Sequence, residues 1–311
     1  MTKFLPDNAV EKFVSELPLA VQAQLKRMVP LSRYCTYRVG GPAQLWLEPA
    51  RDEDLLLVLR QAQKAGLPFF ILGNGSNVIP PDQGVAGLVL HFSKRYSGIK
   101  NVGDDLVEVQ AGAMLAQIAR YAYQLQRRDF EWMVDIPASL GGALLMNAGN
   151  NQGTMSELVD CVRFIDADLQ IKTLPVDELE YGYRHSRFKD KGEIILSAQL
   201  KLGPADQPEN IKRRMREQRE QRRSKFPMQF ANAGSVFKRP PGDYAGRLIE
   251  ASGLKGLRVG DAQVSEKHAG FIVNLGQAKA AHIAQLIKKV QQRVLADSGI
   301  LLEPEQIFFA Q

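Results

Sequence analysis

The segment ANAGSVFKRPPGDYAG, Ala231 to Gly246, sets one serine on a backbone of small residues and follows it with Lys238 and Arg239. A hydroxyl with open space around it can hand a proton to a bound reactant, provided it is held within ~2.6–3.2 Å of the acceptor atom. Neighbouring cations suit an anionic reactant. A plain turn residue is the competing reading of Ser235 on this segment alone. Two other segments could hold phosphate. GNGSN, Gly73 to Asn77, follows the apolar FFIL; its small residues let backbone N–H groups converge on phosphate oxygens, and Ser76 and Asn77 add donors. Taken alone, the segment fits a simple strand-end turn better. In IPASLGGALLMNAGNNQG, Ile136 to Gly153, Pro137 fixes the entry, Gly141 and Gly142 admit a ligand close to the backbone, and Asn147 precedes another glycine turn. Neither segment matches GxGxxG opening a helix or GxxxxGK[ST]. A Rossmann or Walker site is therefore disfavoured, while two glycine loops could still hold a long diphosphate cofactor between two lobes.

These loops need elements to carry them. EKFVSELPLAVQAQLKRMV has apolar residues near helical spacing, interrupted by Pro18, and is expected to form a helical leader over residues 1–30. AQLWLEP, PFFILG, GVAGLVLHF and DLVEVQAGAM read as strands. RDEDLLLVLRQAQKAG reads as a helix with acids at its start and Gly66 at its end, and LAQIARYAYQLQ as a second helix. CVRFIDADLQIKTLP predicts a hairpin and EIILSAQLKL a strand, before the turn-rich linker GPADQPEN. Beyond the serine, YAGRLIEASGLKG predicts a helix stopped by glycine, AGFIVNL a strand, and AAHIAQLIKKVQQRVLADSG an amphipathic helix. Strands and helices alternate with hairpins mixed in, which favours α+β lobes over a simple βαβ array.

A chain of 311 residues with 45% hydrophobic and 24% charged residues has room for two or three globular units. No apolar run approaches the ~20 residues of a membrane span, and the N-terminus lacks a signal-peptide pattern, so a cytoplasmic protein without membrane insertion is expected. Cys35 and Cys161 lie far apart and read as reduced thiols. Much of the net charge of +6 sits in IKRRMREQREQRRSKF. Clustered arginine could bind nucleic acid. An exposed helix, its charge broken by Glu217 and Glu220, fits the run better. A third reading turns its end, Arg222, Arg223 and Lys225, toward an anionic small molecule. His91, His185 and His282 show no ligand spacing, so no metal is expected.

TYRVGGPA, LGNGSN, IPASLGGALLMNAG, YGYRHSRFK, NAGSVFKRPP and LEPE occur here in this order. Together they closely resemble the UDP-N-acetylenolpyruvoylglucosamine reductase (MurB) family, over nearly the whole chain beyond the leader. The connection from Leu202 to Ala231, with RPPGDYAGRLIEASGLKG and VSEKHAGFIVN, resembles the type II branch, which lacks an extra substrate-covering loop. The resemblance implies a two-lobed FAD-binding domain of the vanillyl-alcohol-oxidase type and a C-terminal α+β substrate-binding domain. It suggests lobes over residues 31–92 and 93–202, a substrate domain over 203–299, and residues 300–311 returning toward the active site. The implied reaction is NADPH-dependent reduction of UDP-N-acetylglucosamine enolpyruvate to UDP-N-acetylmuramate, in peptidoglycan precursor synthesis, with consequences for cell wall, shape and division. FAD is expected to be non-covalent, because neither glycine segment carries the histidine or cysteine that tethers it in covalently flavinylated relatives of the fold.

The resemblance also implies roles. Ser235 corresponds to the proton donor, and Arg184 and Glu305 to the pair that stabilises the developing enolate. Glu305 helps only if it is protonated or positions another donor, since a bare second anion repels the enolate. Gly73, Asn74, Gly75, Ser76, Asn77, Val78, Pro137, Ala138, Ser139, Gly141, Gly142, Asn147 and Gly149 are expected around FAD. Lys225 corresponds to a lysine that serves the substrate diphosphate, with Arg223, Lys238 and Arg239 as weaker candidates, and Tyr183, Lys267 and His268 are expected near substrate. For His268, a partly buried structural histidine is as good a reading. The chain departs from the family pattern at Ala138, at Asn150 to Gln152, and at Gln306 and Ile307 after Glu305. A monomer is expected. Two other readings are a flavin oxidase of the same superfamily acting on another substrate and a basic nucleic-acid binder.

Overall fold

A computed structural model describes residues 4–310. The first sheet has the spatial order Lys26–Pro30, Pro42–Leu47, Val85–His91, Phe69–Leu72, and only its first pair is antiparallel. The crossover between two of its parallel strands is the helix Asp52–Lys64. Leu55, Val58, Leu59 and Ala62 form its buried stripe, while Asp52, Glu53 and Asp54 occupy the first turn, where the helix dipole favours acids. Gly66, at φ +61°, ends it.

The leader departs from its expected form. It is helical over Asp7–Ser15 and Leu19–Gln22, but Lys26–Pro30 is an edge strand paired with Pro42–Leu47. Only Val29 of those five residues is buried, too little to seat a further helical turn, and the backbone gains a ladder of hydrogen bonds instead.

The second sheet is wholly antiparallel, in the order Ile171–Pro175, Val159–Ile165, Ile194–Lys201, Leu106–Gln110, Ile99–Asn101. Its first two strands are the predicted hairpin. Asp166 closes the turn by accepting from the Asp168 and Gln170 amides at 3.0 and 2.9 Å. Both sheets share one continuous apolar core with the helix Leu115–Gln124. The basic run forms the helix Pro208–Lys225, which buries only Ile211 and Met215. Arg214 staples it down, donating to Glu131 at 2.6 Å and to Asp206 at 2.6 Å.

The C-terminal third builds a separate core around three short antiparallel strands and the helix Ala280–Ser298, whose Ile283, Leu286, Ile287, Val290 and Val294 are buried. Truncating Ile283, Leu286 or Ile287 to alanine costs about 2–5 kcal/mol. The chain then returns: Ile307–Phe308 pairs in parallel with Val78–Ile79, immediately after the first glycine loop. Among the described residues, no helix is long and apolar enough to cross a membrane.

Candidate active site

The two glycine segments lie side by side. Asn74 Nδ2 donates to the Pro137 carbonyl at 2.6 Å. At Gly73 a Cβ would stand 2.2 Å from Ser139 Oγ, so the loops abut closely and a side chain there would make the Ser139 hydroxyl move. Gly75 takes φ +63° and touches the segment before it: a Cβ there would meet the Tyr34 carbonyl at 2.0 Å, and Thr36 N donates to the Gly75 carbonyl at 3.0 Å. The TYRVGG segment thus braces the loop from behind. Among the described residues, the backbone N–H groups of Asn74, Gly75, Ser76 and Asn77 have no acceptor in the protein. Unpaired donors on a strand-end loop form an anion cradle, which fits the diphosphate of FAD.

A cavity of about 540 Å³ opens over these loops. Gly73 to Val78, Pro137, Ala138, Ser139, Gly141, Gly142 and Gly149 line it, and so do Arg184, Lys225, Ser235 and Glu305. The long sequence separations are closed by backbone pairing. Glu305 N donates to the Val236 carbonyl at 2.8 Å, and Asn77 Nδ2 donates to the Glu305 carbonyl at 3.2 Å. The returning C-terminal segment therefore runs between the phosphate loop and the serine loop. On its other side Ser235 bridges Phe271. Gly234, at φ +76° with no atom within 4 Å of the place a Cβ would take, turns the chain and leaves space before the serine. Ser235 is solvent-accessible at the cavity wall, and among the described residues its hydroxyl has no protein partner.

Arg184 occupies the tip of a tight turn in which the Gly182 and His185 backbones bond each other, with φ +55°. That conformation is costly for arginine and points to a constrained site residue. Its Nη1 and Nη2 donate to the Asn147 and Gly149 carbonyls at 3.5 and 3.2 Å. Burial pushes the Glu305 carboxyl above its ordinary range, while Arg184, then Lys238 and Lys189, pull it back; the net direction is up.

Other expected residues lie elsewhere. Asn147 is buried and off the cavity lining; its Nδ2 donates to the Gly182 carbonyl at 3.1 Å and supports the Arg184 turn. Tyr183 and Arg239 form an exposed cluster off the lining: Arg239 N donates to Tyr183 Oη at 3.1 Å, and the guanidinium lies 4.1 Å from the centroid of Tyr244. His268 stands behind the wall, against Phe226 and Phe271, and burial holds it below the usual histidine value. Lys238 is paired with Glu303, and Lys267 donates to the Arg223 carbonyl at 2.6 Å; neither lines the cavity.

Asp135 is a lining residue that the motif reading passes over. Its Oδ2 and Arg222 Nε are buried without a hydrogen-bond partner. Burial pushes the Asp135 carboxyl up and the Arg222 guanidinium down. Such orphaned atoms on a cavity wall suit a polar ligand. Gln218, Gln221, Arg222 and Lys225 all line the cavity from one helix. Their i, i+3, i+4, i+7 spacing was the available signal, since it defines one face.

Two glycine loops with unpaired backbone donors and an open serine on one cavity fit a flavoprotein oxidoreductase. An FAD binding domain model matches residues 43–174, and a UDP-N-acetylenolpyruvoylglucosamine reductase C-terminal domain model matches residues 226–309. The UDP-N-acetylenolpyruvoylglucosamine reductase of Heliobacterium modesticaldum is 40% identical over 91% of this chain and 90% of its own length. That of Clostridioides difficile is 38% identical over 96% of this chain and 97% of its own. The crystal structure of UDP-N-acetylenolpyruvylglucosamine reductase (MurB) from Thermus caldophilus superposes with a TM-score of 0.78 and 35% identity, covering 91% of this chain and 98% of that one. The chain belongs to the UDP-N-acetylenolpyruvoylglucosamine reductase (MurB) family.

Proposed function

We propose that this protein reduces UDP-N-acetylglucosamine enolpyruvate to UDP-N-acetylmuramate, using NADPH and non-covalent FAD. The observation that carries the reading is that Ser235, Arg184 and Glu305 border the same cavity as both glycine loops. When bound, FAD supplies two-electron hydride transfer between NADPH and the vinyl carbon of the enolpyruvyl group. The Gly73–Val78 loop and Ser139, Gly141 and Gly142 hold the cofactor.

Ser235 gives its proton to the carbon beside the carboxylate, where negative charge develops once the vinyl carbon is reduced. A hydroxyl acts as an acid only toward so basic a carbon and only from within hydrogen-bond reach. Arg184 offers the substrate carboxylate a planar array of donors. Burial pushes the Glu305 carboxyl up from its ordinary value, toward the protonated form in which it can donate to the enolate. Lys225, exposed at the cavity edge and without an ion-pair partner among the described residues, takes the substrate diphosphate. The chain is read as a leader (1–30), two FAD lobes (31–92 and 93–202), a substrate domain (203–299) and a returning tail (300–311). It acts as a cytoplasmic monomer ahead of cell-wall assembly, supporting cell shape and division.

The test is NADPH oxidation with and without UDP-N-acetylglucosamine enolpyruvate. Substrate-dependent oxidation that yields the reduced lactyl product supports the reading. Equal oxidation without substrate, with hydrogen peroxide as product, marks an oxidase instead.

A further inference from the structure

Gln306 follows Glu305 directly. Glu305 and Ile307 border the cavity, while Gln306, at the bend between them, turns into the protein, where it is 4% exposed. Its amide is saturated there by two unrelated segments. Tyr37 Oη donates to Gln306 Oε1 at 3.0 Å. Gln306 Nε2 donates to the Ala233 carbonyl at 3.1 Å. Tyr37 is fully buried. Its own carbonyl accepts from Asn274 Nδ2 at 2.8 Å, and Asn274 N donates to the Ala231 carbonyl at 2.9 Å.

These bonds make a buried chain of contacts, Ala231 to Asn274 to Tyr37 to Gln306 to Ala233. It grips the serine loop at two carbonyls, just before Gly234 bends the backbone and Ser235 enters the cavity. The Glu305 backbone is itself held to Val236, on the far side of the serine. Backbone pairing therefore joins the two segments beyond the serine, and the Gln306 amide adds the link on the other side, at Ala233, so that Ser235 is held from both directions.

We propose that Gln306 is a positioning residue for the proton-transfer half of the reaction, acting through the Ala233 carbonyl and Tyr37. The inference rests on the reductase reading. An amide is suited to the place because it accepts from the tyrosine and donates to the carbonyl at once without charge. Leucine does neither. An ionised glutamate accepts but cannot donate, and it buries a charge against the Ala233 carbonyl. A protonated glutamate can do both.

The test uses the FAD-loaded protein in rapid-mixing experiments that follow flavin colour. One arm measures flavin reduction by NADPH, and the other measures reoxidation of the reduced flavin by the enolpyruvyl substrate. Gln306→Leu should slow reoxidation at least ~10-fold, as a small misplacement of reacting groups does, with flavin reduction within about twofold of wild type. Gln306→Glu should reoxidise faster than Gln306→Leu at acid pH and lose that advantage as pH rises, because rescue needs its proton. If both arms slow equally, or if Gln306→Leu reoxidises at the wild-type rate, the inference is overturned. Should Gln306→Leu fail to fold, Tyr37→Phe carries the same comparison: a selective loss in the second arm supports the proposal, and none overturns it. A wild-type protein that the substrate cannot reoxidise sinks the reductase reading itself, which separates the two failures.

Discussion

Arg184 Nε stands 2.8 Å from Glu305 Oε1, yet its N–H is not aligned on that oxygen. The two groups are held by charge rather than locked by a directed hydrogen bond, and the remaining guanidinium nitrogens rest on the Asn147 and Gly149 carbonyls. A substrate carboxylate can therefore claim Arg184 without breaking a well-formed bond, while burial keeps the Glu305 carboxyl above its ordinary value.

Glu305→Gln tests that setting. The native pKa of Glu305 lies above its unfolded value, because burial outweighs the pull of Arg184. The associated stability is complete below the unfolded value and is lost as pH rises through the native one. Over that window the melting temperature of wild type should fall relative to Glu305→Gln. Substrate-dependent flavin reoxidation should lose the same alkaline limb in the variant, at a rate reduced by up to about 10²-fold near neutral pH. A melting difference that does not change with pH would count against the raised value.

Gly75→Ala should abolish cofactor retention. Its Cβ would meet the Tyr34 carbonyl at 2.0 Å, a backbone atom that cannot swing aside, and φ +63° disfavours any side chain. The purified variant should be colourless, or should release FAD on gel filtration that wild type survives. A yellow variant with the wild-type flavin spectrum would show that the loop can shift without losing the cofactor.

The residues legible in the sequence are those whose chemistry sits in a local pattern. Gly73 to Asn77, Pro137 to Ser139, Gly141, Gly142, Ser235, Arg184 and Glu305 each belong to a short segment, and all border one cavity. Asp135 and Gln218 did not stand out, because a polar face reads the same whether it meets solvent or a ligand cavity. The strand Lys26–Pro30 was missed because its pairing partner, Pro42–Leu47, is supplied from outside the segment. Asn147 belongs to a glycine-rich motif, but its side chain turns away from the cavity to hold the Arg184 turn, a direction that spacing does not encode.

Asp82→Ala should destabilise the protein without touching the chemistry. The Asp82 carboxylate accepts from Ala280 N at 2.8 Å and Ala281 N at 2.9 Å, capping the helix Ala280–Ser298 from the first glycine-loop region. Its loss should cost about 0.5–2 kcal/mol, read as a lower melting temperature in the FAD-loaded protein. The KM for the enolpyruvyl substrate should stay within about twofold, since Asp82 is off the cavity lining. An unchanged melting temperature would show that water replaces the carboxylate at no cost.

Ser235→Ala separates proton delivery from everything upstream of it. The hydroxyl has no protein partner among the described residues, so its removal should leave the loop, the Glu305 pairing and the cofactor cradle in place. Flavin reduction by NADPH should therefore match wild type. Reoxidation by substrate should fall by about 10²–10⁴-fold, the usual worth of a positioned proton donor. In deuterated water the wild-type product should carry deuterium at the carbon beside the carboxylate, and wild-type reoxidation should slow. A thiol in the same place can also deliver a proton, so Ser235→Cys should recover part of the rate. If Ser235→Ala reoxidised at the wild-type rate, the proton would have to come from another group on the wall, and Glu305 would be the first to examine.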